Sequence, residues 1–366
     1  MTFVFAISGS GGHILPALKV AEQVSGLGHR VVFMGDFRGF ASLVDRKGIQ
    51  CYPLDVRGLS GRSLKSLGMC FFKMILAFGT AVRLLKELRP AVVTGFGGYG
   101  SVPVLLAAVF WRVPTLIHEQ NVRPGRATKI LSRLVTKVAL SFEETGGYLS
   151  PATVVTGCPG HVPREDYNKN QIIKSFNLQE GAFTILVLGG SQGSQAINSC
   201  WLESVLPLKE RMDFQVIHLT GHKNYDLVKG EYQRMRLRSR VMPFLEDMAL
   251  AYSVADMAIS RAGAVSVTEL SLFGLPAILI PYPHAGGHQK ENARILVNRG
   301  LGIMIEESRV SPEALIAAVE KIKGPGSRYG RRAPELGHDA ARLLSDEILK
   351  LTARKSACKK KESCRT

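Results

Sequence analysis

The chain opens on a continuous apolar and β-branched run, residues 2–8, and then breaks into small and polar residues. Unbroken runs of this kind, without polar alternation, belong to strands buried on both faces. A helical period follows through Leu15, Leu18, Ala21 and Val24, and Gly26 and Gly28 end it. Residues 30–34 form the next expected strand, with further short apolar runs at 91–94 and 115–117. The second half repeats the theme: 184–188, 215–219, 240–242, 257–260 and 277–280 read as strands separated by helices. Strands alternating with helices predict parallel sheets covered on both faces, here in two doubly wound α/β domains. Glycine, prolines and charges cluster between Thr156 and Arg164, after a last apolar strand, so the domains are expected at 1–160 and 161–333. A soft linker at 324–330, a final helix at about 334–352 and a basic, disordered tail at 353–366 complete the expected layout.

A length of 366 residues suits two domains, and 46% hydrophobic with 21% charged residues suits real cores. The six cysteines show no C-x-x-C spacing, which argues against a zinc ribbon and for free thiols in a reducing compartment. The N-terminus carries no secretion-signal pattern, and Lys73 and Arg112 interrupt the longest apolar stretches. A cytoplasmic protein that touches a membrane is the expectation. The net charge is +17, of which residues 350–366 supply +6. Such a surplus serves nucleic acid, anionic lipid or phosphorylated substrates. No helix-turn-helix, zinc or aromatic-strand signature favours nucleic acid, so no nucleic-acid partner is expected.

Ligands of open parallel sheets bind at the carboxyl ends of strands, so the loops there carry the chemistry. Ser8-Gly9-Ser10-Gly11-Gly12-His13 joins the first strand to the first helix; small residues and free helix N–H groups suit an anion. The third glycine of a dinucleotide fingerprint would fall at Ile14, which weakens a nicotinamide reading. His13 is either a base working near neutral pH or a capping and packing histidine. Gly95-Phe96-Gly97-Gly98-Tyr99-Gly100 holds more glycine than a plain turn needs. His118-Glu119-Gln120-Asn121 ends another strand and is not H-E-x-x-H. Residues 189–194 form a second phosphate-type loop that lacks the Walker lysine. Residues 260–269 run from a strand into a helix, with Glu269 placed to take a vicinal diol. His288, Gln289 and Asn292 offer donors and acceptors for a sugar. No D-x-D occurs, so neither a metal site nor a cofactor is expected, and diphosphate charge would fall to helix N-termini.

These motifs, in this order over about residues 2–320, resemble those of the MurG family, the UDP-N-acetylglucosamine transferases that convert lipid I to lipid II. The resemblance implies the GT-B fold: two Rossmann-like domains facing across a cleft, with the last helix packed back on the first. It implies an inverting transfer of N-acetylglucosamine to the 4-hydroxyl of the muramoyl peptide, with His13 as general base. It further implies that Ser191 meets a phosphate and the backbone at Leu245 the uracil. Ala264, Val265, Ser266, Val267 and Thr268 would meet the diphosphate and sugar, Glu269 the ribose and Gln289 the sugar. Ser10, Gly11, Gly12 and Asn121 would complete the site.

The chain departs from that pattern at Gly157-Cys158-Pro159-Gly160-His161, where the family has Gly-Asn-Pro-Val-Arg. His161 stands in the arginine's place, with Arg164 three residues on, so either is a candidate donor contact. The apolar run 64–78, with Lys65 and Lys73 in it, is a buried helix by periodicity. A polyprenyl-diphosphate acceptor makes it an anionic-membrane contact, on the cytoplasmic face of the inner membrane. A UDP-sugar 2-epimerase and a non-catalytic UDP-sugar-binding protein share the architecture and are the alternatives.

Overall fold

The computed structural model describes residues 1–37, 40–56, 64–149, 152–164, 166–324, 327, 329 and 339–363. The expected linker at 324–330 and the start of the last helix at 334–338 fall largely outside them. The chain divides into two compact units, Met1–Gly160 with Asp339–Thr366, and His161–His338.

The first unit runs β1 (Thr2–Ile7), α1 (Gly11–Gly26), β2 (Arg30–Gly35), α2 (Ala41–Arg46), β3 (Gln50–Pro53), α3 (Leu64–Leu88), β4 (Val92–Gly95), α4 (Val102–Phe110), β5 (Thr115–Glu119), α5 (Arg126–Leu131), β6 (Lys137–Leu140) and β7 (Thr153–Val155). The second runs α6 (Lys169–Ser175), β8 (Thr184–Leu188), α7 (Gln195–Lys209), β9 (Gln215–Leu219), α8 (Tyr225–Arg234), β10 (Ser239–Met242), α9 (Met248–Val254), β11 (Met257–Ser260), α10 (Ala264–Leu272), β12 (Ala277–Leu279), α11 (His288–Asn298), β13 (Gly302–Met304) and α12 (Pro312–Lys323). The final α13 (Ala340–Ser363) returns to the first unit. Its Leu344, Ile348 and Leu351 are buried in one cluster with Ile14, Leu18 and Ala21 of α1 and Phe3 and Phe5 of β1. Helical backbone continues to Ser363, inside the stretch expected to be a disordered tail. From Thr352 to Ser363 it meets no glycine or proline to stop it.

All pairings between neighbouring strands are parallel, in the orders β3-β2-β1-β4-β5-β6-β7 and β10-β9-β8-β11-β12-β13. Each order grows outward one way and then reverses, between β1 and β4 and between β8 and β11. The central strands are buried along their length, which is why their sequences are uninterrupted apolar runs.

The stretch Leu67–Leu88 of α3 is long and apolar enough to cross a bilayer by length and composition. Its C-terminal half is nonetheless a core helix, with Ala77, Ala81, Leu84 and Leu85 packed beside Val93, Val104 and Leu105. Its N-terminal half exposes Leu67, Met69, Phe71, Phe72, Ile75 and Leu76.

Among the described residues, each unit holds one fully buried histidine with both ring nitrogens partnered. In the second, Trp201 Nε1 donates to the Tyr232 hydroxyl (2.7 Å), which lies 2.8 Å from His218 Nδ1. His218 Nε2 faces Asn198 Oδ1 at 3.1 Å, and Asn198 donates on to the Thr220 carbonyl. Burial pushes His218 down to about 3. In the first, His118 Nε2 lies 3.0 Å from the Gly157 carbonyl, and burial holds this ring at about 4. Unfolding restores both rings to about 6.5, so at mildly acid pH the unfolded chain binds more protons than the folded one. Stability from these groups is complete above 6.5 and is lost as pH falls toward 4. Denaturant titrations should show stability dropping by up to about 1.4 kcal/mol per pH unit for each ring. His218→Gln should flatten the part that belongs to the second unit; an unchanged slope would refute the assignment.

Candidate functional site

A parallel sheet opens a crevice where its strand order reverses, because the two flanking connections leave to opposite faces. In the first unit the loop after β1 carries Ser10, with His13 in the first turn of α1, and the loop after β4 carries Gly97 and Gly98. Both therefore lie at that reversal. Ser10 is the N-cap of α1, yet its hydroxyl makes no cap bond. It lies 2.7 Å from His13 Nδ1 instead. The first turn of α1 holds no acidic residue, so its N-terminal field is uncompensated there.

The His13 ring lies against the β4 loop. A Cβ on Gly97 would meet His13 Cδ2 at 3.1 Å and Nε2 at 3.2 Å, and one on Gly98 would meet Ser8 Cβ at 2.4 Å. Both glycines have positive φ, 86° and 72°, so neither the space nor the backbone suits a side chain. Burial lowers the pKa of His13, opposed by the negative charge of Glu119 and by a backbone hydrogen bond with Ser8. The ring is thus held neutral near physiological pH. Asn121 sits at the end of β5. Its backbone N–H and its Nδ2 donate to Glu119 Oε1 (3.0 and 3.2 Å), and Gly125 N–H donates to Glu119 Oε2 (3.1 Å), so Glu119 shapes this loop.

The second unit repeats the plan at the β8–β11 reversal. Gly193, with φ 74°, approaches the next loop so closely that a Cβ would lie 2.2 Å from the Thr220 carbonyl oxygen. Ser191 is half-buried in the same loop, and Leu245, past β10, is half-buried too. At the start of α10, Gly263 is the N-cap, with no side-chain cap bond and no acidic residue in the first turn. Ala264, Val265, Val267 and Thr268 are buried and only Ser266 is partly open, so the N-terminus offers backbone N–H groups rather than side chains.

Arg261 is buried just before that helix. It donates to the Ile280 carbonyl (3.2 Å) and to Ser194 Oγ (2.8 Å), pairs with Glu307 and lies over the Tyr282 ring. Gln289 Oε1 accepts from the N–H groups of Ala262 (3.2 Å) and Tyr282 (2.9 Å), so it ties the β11 and β12 loops together.

Glu269 is 3% exposed. Its Oε1 accepts from the His161 backbone N–H (2.8 Å) and lies 2.6 Å from His161 Nδ1; its Oε2 accepts from the Tyr252 hydroxyl (3.0 Å). His161 therefore grips the carboxylate expected to hold a ribose. Arg164 pairs instead with Asp166 through two hydrogen bonds (3.0 and 2.7 Å). The motifs did not single out Arg261, Gln120 or Tyr252 for a role. A buried arginine directly after a strand was the one signal available for Arg261. Among the described residues no group of three or more His, Cys, Asp or Glu could hold a metal ion.

Comparison with known proteins shows the family to which the chain belongs. Residues 3–140 match the glycosyltransferase family 28 N-terminal domain and residues 184–348 its C-terminal domain. The chain is therefore a two-domain α/β glycosyltransferase of the GT-B type. It is 38% identical over 330 residues to a transferase of Thermodesulfovibrio yellowstonii, across 88% of this chain and 90% of that one. It is 35% identical over 376 residues to one of Halothermothrix orenii, across 97% and 100%. Both are UDP-N-acetylglucosamine--N-acetylmuramyl-(pentapeptide) pyrophosphoryl-undecaprenol N-acetylglucosamine transferases. The crystal structure of Acinetobacter baumannii MurG superposes with a TM-score of 0.71 at 30% identity, over 95% of this chain and 99% of that one. The chain belongs to the MurG family. A Neisseria meningitidis UDP-GlcNAc 2-epimerase, at 15% identity and a TM-score of 0.69 over 96% and 100% of the two chains, shares the fold alone.

The closeness of Gly193 to Thr220 gives a direct check. Gly193→Ala should destabilise the protein by about 2 kcal/mol or more and abolish UDP retention, read by thermal melts with and without UDP. A variant with wild-type melting and UDP-induced stabilisation would show that the loop has room.

Proposed function

We propose that this protein transfers N-acetylglucosamine from UDP-N-acetylglucosamine to the muramoyl-pentapeptide of a pyrophosphoryl-undecaprenol lipid, the step from lipid I to lipid II. The observation that carries the mechanism is His13: an imidazole kept neutral by burial, fixed at Nδ1 by Ser10, at a strand-order reversal of a family member. With Nδ1–H donating to Ser10 Oγ, Nε2 keeps its lone pair. That nitrogen takes the proton of the acceptor's 4-hydroxyl as the oxygen forms its bond to the sugar's anomeric carbon. The bond from that carbon to the diphosphate breaks in the same displacement, and UDP leaves with the electron pair. The anomeric centre inverts.

The leaving diphosphate is stabilised by the uncapped N-terminus of α10, at Ala264, Val265, Ser266, Val267 and Thr268, with Ser191 on a phosphate. The uracil meets the backbone at Leu245. A ribose hydroxyl donates to Glu269 Oε2, the oxygen that accepts from Tyr252. Gln289, its oxygen spent on two loops, offers its amide hydrogens to the sugar. Ser10, Gly11, Gly12 and Asn121 are the substrate-binding residues of the first unit in this reading. His161 acts through Glu269 and Arg164 takes no part.

The acceptor's lipid calls for a membrane face, and α3 supplies one. Its exposed apolar half continues through α4, where Phe110 packs edge-on to Phe78 and Trp111 donates to the Val82 carbonyl. Packed next to α4 is α5, and the exposed Arg112, Arg126, Lys129 and Arg133 lie along this series. Apolar side chains among cations suit peripheral attachment to the anionic cytoplasmic face of the inner membrane.

Two measurements test these assignments. His13→Ala should lower kcat about a hundredfold or more while leaving the Kd for UDP within about twofold; an unchanged kcat sinks His13 as base. Phe71→Glu combined with Phe72→Glu should reduce flotation with anionic vesicles several-fold yet leave transfer to a water-soluble acceptor analogue intact. Undiminished flotation would remove α3 from the membrane face.

A further inference from the structure

Gln120 is 2% exposed, and its Oε1 is sealed from solvent without a hydrogen-bond partner. The orientation of the amide is set by its neighbours. Its Nε2 donates to the Phe96 carbonyl at 2.9 Å, a group that can only accept. It also lies 3.2 Å from His118 Nδ1. Because His118 Nε2 faces the Gly157 carbonyl, that nitrogen carries the hydrogen and Nδ1 is left to accept. Both amide hydrogens are therefore spent, and a flipped amide would set oxygen against oxygen. The orphan oxygen points where a Gly97 side chain would be. A Cβ there would lie 3.2 Å from Gln120 Oε1 and 3.2 Å from His13 Nε2. The missing side chain leaves the amide oxygen and the reactive edge of the imidazole facing one small space.

We propose that Gln120 Oε1 is the acceptor held for His13 in its protonated form, a positioning residue that stabilises the imidazolium created when the acceptor hydroxyl gives up its proton. The proposal rests on His13 being the base. In the resting site the oxygen lacks a donor; once Nε2 is protonated, the negative end of the carbonyl dipole lies beside a new positive charge. The interaction is thus stronger after proton transfer than before it, which is the form of stabilisation that speeds a step. A neutral amide does this without fixing the ring as a permanent cation.

The other groups around the ring act in known directions. Burial disfavours its charge, while Glu119 and the Ser8 backbone favour it. Ser10 holds Nδ1, and the Asp36 carboxylate lies against Gly9 of the same loop. His118, held at about 4, stays neutral throughout the working range.

The test uses the full-length protein with ¹³C-labelled histidine, the His13 signal being assigned by its loss in His13→Gln. Gln120→Met removes the dipole at similar length, and Gln120→Glu replaces it with a charge. Without substrate, the His13 titration should move down by about half a unit or more in the first and up in the second. The acid limb of log kcat against pH should move with it, while the Kd for UDP stays the same. Either variant alone is decisive if the other fails to fold. A His13 titration unmoved in a folded variant overturns the role of Gln120. A titration that moves while the acid limb stays fixed leaves the pairing standing and overturns His13 as the base.

Discussion

Each sheet reverses its strand order at one place, and the chemistry of the chain depends on those two reversals. A parallel sheet needs a crossover after every strand, and right-handed crossovers to opposite faces leave an opening only where the order turns. Between β1 and β4 that opening receives the His13 loop and the Gly97–Gly98 loop. Between β8 and β11 it receives the Gly193 loop and the start of α10. Glycine lets the His13 and Ser8 side chains lie on the backbone at the first place, and one backbone lie on another at the second, at distances no further side chain allows. The precision of the site is thus a by-product of sheet topology, made tight by what the glycines lack.

Within that frame the polar groups are arranged as an ordered chain rather than as isolated residues. The Gly157 carbonyl sets the tautomer of His118, His118 and the Phe96 carbonyl set the amide of Gln120, and Gln120 and His13 both border the space beside Gly97. His118, Phe96 and Gln120 are buried, and Gly157 and His13 at the two ends are partly open. A network whose inner members have their hydrogens assigned by neighbours cannot readily rearrange, so it imposes orientation on its last member.

Much of this was legible in the residues. The strands that begin each half are uninterrupted apolar runs, and the loops that follow them announce themselves by glycine. The strands β3, β6 and β13 were not found. Gln50–Pro53 is a half-exposed edge strand with polar residues and a proline, and Gly302–Met304 is only three residues long. Neither builds up a period. Lys137–Leu140 is short and begins with a lysine, whose ammonium reaches Glu347 of α13, a partner 210 positions away that no local pattern contains. His13 and Ser10 were visible as residue types. Their pairing was not, because it depends on the Ser10 hydroxyl leaving its usual capping partner. Gln120 was visible only as one polar residue among four.

The His161 departure shows why a motif and its geometry must be read together. By position it replaces an arginine, which suggests a weaker phosphate ligand. In the fold its ring and backbone N–H both turn to Glu269, and Asp247 lies on the far ring nitrogen at 3.9 Å. Arg261, directly before α10, is paired with Glu307. Both side chains are thus matched to carboxylates within the fold. What remains at the start of α10 is an uncapped helix terminus made of small residues. Anion recognition of that kind rests on fixed backbone dipoles a few ångströms from the ligand, which salt screens far less than it screens exposed lysines. The start of α10 therefore offers an anion fixed backbone dipoles rather than mobile side-chain charges.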